Sequence, residues 1–396
     1  MVDLLKLKAA FKNCTKCGAC FRQTFDACPI NKEFLGITPY SFMSIAMMAD
    51  DILDGRMELS RELSPVFFSC TLCGYCAIQC LIPPLHFCWD SPTELIEGIR
   101  ALFVEAGAIP AKISEILNNL ALTGNAWKLP PRFRIEWEKE CKVPIPDYTE
   151  NHNEYLLFVG DAALIDETKS IVKSVAELLY ISGVNFGTLK ERELDSGGAA
   201  KELGEYGLFE GLAKRNIETF KECGARKVIT ISPHDYHTFL VDYPKLGFKF
   251  EKVYHHTQII DELIRQGKIN PVKEVSKRIT YHDSCFLGRY HEIFMPPRNI
   301  IRSIPEVMFI EMKQNQKLSF CCGGGGGRLW YDVPEEPVRK RIPDIRVAHA
   351  RDVRADIIAT ACPYCKSTLS AADNLGEIAV KDVAEILYES VASSKV

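Results

Sequence analysis

The spacing of hydrophobic residues changes near residue 155. Before it, the stretch "SFMSIAMMADDILDGRMELS" (41–60) has apolar residues at mixed intervals of three and four, which is typical of helix. After it, short β-branched runs alternate with helical stretches: "YLLFVG", "RKVITIS", "RITYHD" and "ADIIATA". Such runs are typical of buried parallel strands in α/β units. The pattern predicts a mainly helical N-terminal region followed by α/β structure with parallel sheets.

The α/β part of the chain repeats itself. "VITISPHDYHTF" (228–239) matches "IATACPYCKSTL" (358–369), "ELDSGG" falls on "SFCCGG", and "LLFVGD" falls on "ITYHDSC". Self-similarity of this length usually means duplicated structural units. We expect two copies of one unit, packed face to face. The predicted domains are an N-terminal domain at 1–105, a proline-containing linker at 106–152, and two units at 153–272 and 273–396.

Composition describes a globular chain with weak overall electrostatics. The 396 residues are 47% hydrophobic, enough for two or three domains. Lysine and arginine number 48 against 52 acidic residues, so no strong field attracts nucleic acid or anionic membrane. We see no secretion signal and no apolar run of roughly 18 residues. We expect a cytoplasmic protein that reaches a membrane only through a partner.

Sixteen cysteines are the main chemical signal. Without a secretion signal they are poorly explained as disulfides, because the cytosol keeps thiols reduced. Thirteen of the sixteen fall into three groups, which leaves Cys88, Cys141 and Cys223 as small buried hydrophobes. The grouped cysteines are expected to hold metal.

The first two groups are "CTKCGACFRQTFDACPI" (14–30) and "CTLCGYCAIQC" (70–80). Three cysteines spaced C-x2-C-x2-C bind one 4Fe-4S cubane, while the remote fourth ligates the other cluster in two-cluster ferredoxins. The first cubane is assigned Cys14, Cys17, Cys20 and Cys80. The second is assigned Cys70, Cys73, Cys76 and Cys28. Structural zinc is the alternative, although it is typically bound by paired C-x2-C units.

The third group surrounds five consecutive glycines in "LSFCCGGGGGRLWYD" (318–332). Adjacent cysteines seldom bridge each other, because disulfide geometry needs a wider separation and a specific torsion. Glycine permits close approach of the backbone to a bound group, whereas glycines alone are also typical of a flexible linker. The complete group is Cys285, Cys321, Cys322, Cys362 and Cys365.

This order, one cysteine, then a CC-Gly pair, then "CPYC", resembles the CCG cysteine-rich domain family of heterodisulfide reductase subunits and related iron-sulfur oxidoreductases. The resemblance runs from about Tyr155 to Leu387, and the N-terminal cysteine groups match members that carry a fused dicluster ferredoxin-like domain. It implies an α-helical dicluster domain followed by two CCG-type units. It also implies that the five cysteines hold a noncubane 4Fe-4S cluster, with the paired cysteines bridging irons and the glycines close to the sulfides.

The first copy lacks these cysteines. Its aligned positions are Asp161, Asp195, Ser196, Ser232 and Asp235. Iron-sulfur clusters need soft thiolates, whereas carboxylates and hydroxyls suit harder ions. We expect no cluster there. A hard cation or a hydrogen-bonded relic of the site remain alternatives.

Four charged or titratable residues lie near the cysteines in sequence: Arg289, His291, Arg328 and Lys366. They are candidates for tuning a cluster by charge or hydrogen bonds, or ordinary loop residues. No phosphate loop or dinucleotide fingerprint is present in the sequence. Any flavin is expected in another subunit.

Two functions follow from the resemblance. The first is an electron-transfer subunit of a multi-subunit complex, with two cubanes and one noncubane cluster, exchanging electrons with a flavoprotein or other redox partner. Family members of this layout serve flavoprotein-linked quinone reduction, sulfur metabolism and flavin-bifurcating assemblies such as class II benzoyl-CoA reductase complexes. The alternative is a catalytic heterodisulfide or disulfide reductase, which the loss of one five-cysteine set disfavours.

Overall fold

The structure is a computed structural model that describes residues 3–17, 28–80, 91–150, 153–333 and 339–391. Its N-terminal part is a group of helices. Their bounds are α1 Leu4–Cys17, α2 Pro29–Glu33, α3 Phe42–Leu53, α4 Ser64–Phe68, α5 Tyr75–Ile78, α6 Pro92–Glu105 and α7 Ala111–Thr123. Ser41 and Ser91 cap α3 and α6 by accepting backbone N–H groups of the first turn. None of the helices in the described ranges is both long and apolar enough to cross a bilayer.

The first α/β unit is built on a parallel sheet. Its strands are β1 Tyr155–Phe158, β2 Phe186–Gly187, β3 Lys227–Thr230 and β4 Lys252–His255, in the order β2-β1-β3-β4. Its helices are α8 Asp166–Ile181, α9 Gly198–Glu202, α10 Tyr206–Glu222, α11 Pro233–His237 and α12 His256–Arg265. The register pairs Tyr155 with Lys227 and Lys227 with Lys252.

The second unit repeats this topology. Its strands are β5 Arg278–Tyr281, β6 Met308–Phe309, β7 Ile357–Thr360 and β8 Ala379–Asp382, in the order β6-β5-β7-β8. Its helices are α13 Cys285–Gly288, α14 Met295–Ser303, α15 Ile342–Asp352, α16 Pro363–Ser370 and α17 Val383–Ser390. The two sheets share one strand order and are both parallel, which confirms the predicted duplication.

The two units share one apolar core. Leu157 and Ile229 from the first sheet lie in the same buried cluster as Ile279 and Ile357 from the second. Helix α8 packs on α17, and α12 packs on α14. A separate cluster joins the N-terminal helices to the outer face of the first unit. The second sheet therefore folds against the first as one body.

Within the segment expected to be a linker, the described residues 106–150 contain helical structure and contacts to other parts of the chain. They contain α7 and a 3₁₀ helix at Pro131–Glu140, from which Trp137 enters the core shared by the two units. The Arg134 guanidinium donates to the carbonyls of Gly124 and Gly160, at 3.1 and 3.2 Å. These contacts join residues that are separated in the chain, so the spacing of hydrophobic residues does not predict them. The prolines of this segment also disfavour a regular α-helix.

Arg100 on α6 ties together three distant parts of the chain. Its side chain is fully buried and donates hydrogen bonds to the carbonyls of Phe67, Cys70, Glu202 and Gly326 at 2.7 to 3.2 Å. A guanidinium offers five N–H donors in a rigid fork and stays charged, so it suits such convergence. One side chain therefore holds the N-terminal helices, the first unit and the glycine loop in register.

We expect Arg100→Met to lower the free energy of unfolding by about 3 to 5 kcal/mol, because several buried carbonyls lose their donor at once. Anaerobic urea unfolding measures the effect. Arg61→Met is the matched control, since Arg61 is exposed and its guanidinium donates to the Gly107 carbonyl at 3.3 Å. Equal stability of the two variants would contradict the central role of Arg100.

Candidate metal centres

The third cysteine group converges at the carboxyl edge of the second sheet. Cys285 begins α13 just after β5, and Cys362 and Cys365 lie at the start of α16 just after β7. These strands are adjacent and parallel, so their carboxyl ends meet at one edge, where α/β folds commonly bind ligands. The glycine loop brings Cys321 and Cys322 to the same place. All five cysteines are buried free thiols.

The five sulfurs interact in series. Cys321 lies between Cys285 and Cys322, while Cys365 lies between Cys322 and Cys362. Hydrogen bonds from Cys321 and Cys365 hold the pKa of Cys322 well below its usual value. A continuous group of soft sulfur donors fits an iron-sulfur cluster and does not fit a hard cation.

The glycine loop is a buried structural element and not a linker. The N–H groups of Gly323 and Gly324 point at the sulfurs of Cys321 and Cys322, at 3.3 and 3.4 Å. A Cβ at Gly326 would lie 2.4 Å from the Cys70 carbonyl, and one at Gly327 would lie 2.4 Å from Leu203. The glycines are therefore also required by close packing against two other parts of the chain, which the sequence did not reveal.

The second cysteine group also comes together. Cys28, Cys70, Cys73 and Cys76 line one small, mostly apolar pocket with Pro29, Phe42 and Tyr75. Burial raises the pKa of Cys70 to about 11 and that of Cys28 further, and nearby Cys73 contributes to both. These are the four residues that the cysteine spacing assigned to one cubane, and Cys28 reaches the pocket from a separate segment.

The first cysteine group is only partly described. Cys14 near the end of α1 and Cys80 after α5 are partly exposed. Cys20 and the side chain of Cys17 lie outside the described residues, as does Cys88. The assignment of Cys14, Cys17, Cys20 and Cys80 to one cubane stays a prediction.

The second and third groups are in contact. The Cys73 sulfur hydrogen-bonds that of Cys321, and the Cys321 sulfur lies 3.6 Å from Thr71 Oγ1. Arg289 fixes this junction by donating to the Cys73 carbonyl at 2.7 Å and to the Ser319 carbonyl at 2.5 Å. Sequence spacing could not show this contact, since Cys73 and Cys321 are remote in the chain.

The other three candidates for tuning a cluster are Arg328, Lys366 and His291. Unlike Arg289, they have no side-chain hydrogen bond to a cysteine carbonyl among the described contacts. Arg328 forms a buried pair with Glu33 at 2.9 Å. Lys366 pairs with Glu385 at 2.8 Å, and His291 Nε2 lies 3.1 Å from His237 Nδ1. The side-chain hydrogen bonds and ion pairs of these three residues are to groups other than the cysteines, which indicates structural roles.

Sequence reasoning missed His282. One of its ring nitrogens and the sulfurs of Cys322 and Cys365 all lie within 4.8 Å of one another. Its Nδ1 accepts from Arg346 Nε at 3.0 Å, so in the neutral ring the proton resides on Nε2. Burial and the Arg346 charge hold the pKa of His282 well below its usual value. The contact with Arg346 therefore fixes the tautomer of His282. The only sequence signal was its place in "YHDSC" at the end of a strand.

The aligned positions of the first unit are brought together as a buried polar group. Ser196 Oγ donates to Asp235 Oδ1 at 2.6 Å, and Asp195 Oδ1 accepts from Gly197 N at 2.6 Å. Ser232 caps α11 by accepting from His234 N, and Asp161 lies 3.5 Å from the Arg134 guanidinium. This pocket offers carboxyls and hydroxyls where the second unit offers sulfurs.

Burial makes these carboxyls weak acids. It raises the pKa of Asp161 well above its usual value and also raises that of Asp195, next to Asp161. It raises the pKa of Asp235 to about 7 and that of the adjacent Glu193 to about 8. Since buried carboxyls avoid charge, the group holds protons near neutral pH.

This arrangement predicts a pH-dependent stability. A carboxyl whose folded pKa exceeds its unfolded pKa stabilises the fold at low pH, and that contribution is lost as pH rises through the folded pKa. As the pH rises from 5 to 8, we expect the free energy of unfolding of Asp235→Asn to increase by about 2 to 3 kcal/mol relative to that of the wild type. The reason is that Asn cannot ionise, although it can still accept the hydrogen bond from Ser196.

Urea unfolding at several pH values measures this gain. The exposed Asp166, changed to Asn in the same way, is the control because it lies outside the buried group. A variant whose stability follows pH as steeply as the wild type would rule out a neutral Asp235.

Comparison with known proteins identifies the same modules. The family described as 4Fe-4S dicluster domain matches residues 10–82, and the CCG cysteine-rich domain matches residues 157–239 and 279–370. The second match confirms the two repeats, including the copy that lacks cysteine at the five aligned positions. The chain therefore has iron-sulfur modules at both ends.

Several named proteins are similar over most of the chain. A probable iron-sulfur-binding oxidoreductase, FadF, of Bacillus subtilis (strain 168) is 35% identical across 82% of this chain and 46% of its own length. The EtfAB:quinone oxidoreductase of Syntrophomonas wolfei is 32% identical, across 83% of this chain and 47% of its own length. The chain thus spans about half the length of these two relatives.

A third relative matches from end to end. It is one of the subunits of the dihydromethanophenazine:CoB--CoM heterodisulfide reductase of Methanosarcina barkeri (strain Fusaro), and it is 30% identical across 99% of this chain and 96% of its own length. Together with the two duplicated parallel sheets and the buried cysteine edge, this shows that the chain belongs to the family of iron-sulfur oxidoreductases that join a 4Fe-4S dicluster domain to two CCG cysteine-rich domains.

Proposed function

We propose that the protein is an electron-transfer subunit with three clusters. Cys14, Cys17, Cys20 and Cys80 bind one cubane, and Cys28, Cys70, Cys73 and Cys76 bind the other, within a helical ferredoxin-like domain at about 1–105. Cys285, Cys321, Cys322, Cys362 and Cys365 bind one noncubane cluster in the unit at 273–396. Bound clusters supply one-electron redox chemistry, while the chain sets their positions and surroundings.

The contact between Cys73 and Cys321 carries this proposal. Both residues are buried, at 7% and 3% exposure, so no bulk water separates the two cysteine groups. Thr71 and Arg289 hold the two loops together from either side of the contact. A protein that moves electrons between centres needs such a short, dry junction, whereas two independent structural metal sites do not.

The polar pocket of the first unit supports a single noncubane site. Its protonated carboxyls and hydroxyls are poor ligands for iron-sulfur clusters. Asp161, Asp195 and Asp235 occupy the space where a second five-cysteine set would lie. The unit at 153–272 accordingly serves as a structural partner for its duplicate.

The proposed redox partner is a flavoprotein. One relative is named EtfAB:quinone oxidoreductase, and that name joins an electron-transferring flavoprotein to a quinone. In a flavin-bifurcating or benzoyl-CoA reductase type of assembly, the same chain would connect flavin to a further acceptor.

A disulfide reductase is the second candidate, favoured by the end-to-end similarity to a heterodisulfide reductase component. Electron transfer is the preferred function, because the first unit lacks the five cysteines that would bind a second noncubane cluster. We mix the purified chain with an artificial electron donor and a disulfide. We expect the disulfide to be reduced no faster than by the donor alone. Catalytic turnover of a disulfide would promote this candidate over the first.

Iron content tests the cluster assignment. Anaerobically purified protein should hold about twelve irons, from three four-iron clusters. The double variant Cys321→Ser with Cys322→Ser should hold about eight and lose one paramagnetic signal, because serine replaces the two adjacent thiolates. Iron analysis and electron paramagnetic resonance measure both.

Cys223→Ser is the matched control for that variant. Cys223 is half-buried and its thiol donates to the Phe220 carbonyl at 3.7 Å, away from the cysteine groups. It should keep about twelve irons. A wild type with about eight irons would remove the noncubane site, and one with about sixteen would place a cluster in the first unit.

A further inference from the structure

His234 belongs to the first unit but lies in the cysteine edge of the second. It occupies the position of α11 that aligns with Tyr364 of α16, one residue after the shared proline. Its ring stacks on Phe286 at 4.0 Å and packs against Tyr364 at 4.5 Å, and both of these aromatic residues come from the second unit. A residue of the first unit therefore takes part in the cysteine edge of the second.

Two groups fix the ring of His234. Its Nδ1 lies 2.6 Å from Glu202 Oε1, and the second oxygen of Glu202 accepts from Gly326 N at 2.9 Å. With Nδ1 engaged by Glu202, the remaining nitrogen Nε2 is the one that interacts with the Cys362 sulfur. The stacked Phe286 and Tyr364 prevent the ring from turning away. His234 is 7% exposed, so water does not compete for these contacts.

We propose that His234 is a positioning residue for the cluster of the second unit, donating a hydrogen bond from Nε2 to the Cys362 thiolate while Glu202 holds its Nδ1. This rests on the noncubane assignment made above. The first unit has no cysteine at the five aligned positions, and it contributes this hydrogen-bond donor to the cluster site of the second unit.

The chemistry of the contact sets the direction of its effect. Hydrogen bonds to cluster sulfurs are among the factors that determine reduction potential. A donor stabilises the sulfur more when an added electron has increased its negative charge, so it raises the potential. Removing the donor should make the cluster harder to reduce.

A hydrogen-bond donor to sulfur and an iron ligand differ in one measurable property. A nitrogen bonded to iron couples strongly to the cluster spin, whereas a nitrogen that only donates a hydrogen bond to a sulfur couples weakly.

The test compares three variants of the anaerobically purified full chain. His234→Phe keeps a flat ring between Phe286 and Tyr364 but removes the donor. His234→Gln retains an amide N–H that reaches the region of Nε2. His237→Phe is the matched control, because His237 lies on the same helix, is partly buried, and pairs with His291 in place of a cysteine.

The readouts are iron content, the midpoint potential of the noncubane signal, and nitrogen hyperfine coupling by pulsed electron paramagnetic resonance. We expect all variants to keep the wild-type iron content. His234→Phe should shift the potential to a more negative value, His234→Gln should recover most of that shift, and His237→Phe should leave it unchanged. The nitrogen coupling of the wild type should be weak.

Two results would overturn the role of His234. An unchanged potential in His234→Phe would show that the contact does not influence the cluster. Strong nitrogen coupling in the wild type, or loss of about four irons in both His234→Phe and His234→Gln, would make His234 a ligand. A wild type with about eight irons would instead refute the underlying noncubane assignment.

Discussion

The buried guanidinium of Arg100 is the contact that holds the three parts of the molecule in place. A buried cation is costly unless its donors are all satisfied, and here backbone carbonyls from three remote segments supply the acceptors. Two of those carbonyls belong to Cys70 and Gly326, one in each cysteine-bearing loop. The same charge that needs these carbonyls therefore fixes the distance between the second and third cysteine groups.

The two units have the same sheet topology, but different residues occupy the equivalent positions at their strand ends. Both sheets have the same strand order. The carboxyl edge of the second unit concentrates sulfur, whereas the aligned positions of the first unit concentrate carboxyls near Arg134. The units share a core, and His234 of the first unit packs on Phe286 of the second. The first unit therefore contributes to the surroundings of the cysteine edge although it lacks the five cysteines.

Much of the site followed from local pattern. The cysteines of "CPYC" and "YHDSC" come directly after buried β-branched strands, and adjacent parallel strands end at one edge. The convergence of Cys285, Cys362 and Cys365 was therefore predictable. Cys28 was likewise placed with the second cysteine group by the two-cluster pattern. In contrast, Trp137 and Arg134 lie in a proline-containing segment without periodicity, and their burial depends on partners that no local pattern identifies.

The three cysteine groups could be identified from the amino-acid order alone, because cysteine spacing and strand patterning are short-range properties. The duplication could be identified in the same way, since aligned prolines and glycines survive in both copies. How these pieces act on each other depends on the folded chain. The Cys73 contact with Cys321, the tautomer of His282 set by Arg346, and the crossing of His234 each join residues remote in the chain. Such contacts are selected by packing and hydrogen-bond satisfaction in the folded interior, which spacing along a sequence does not encode.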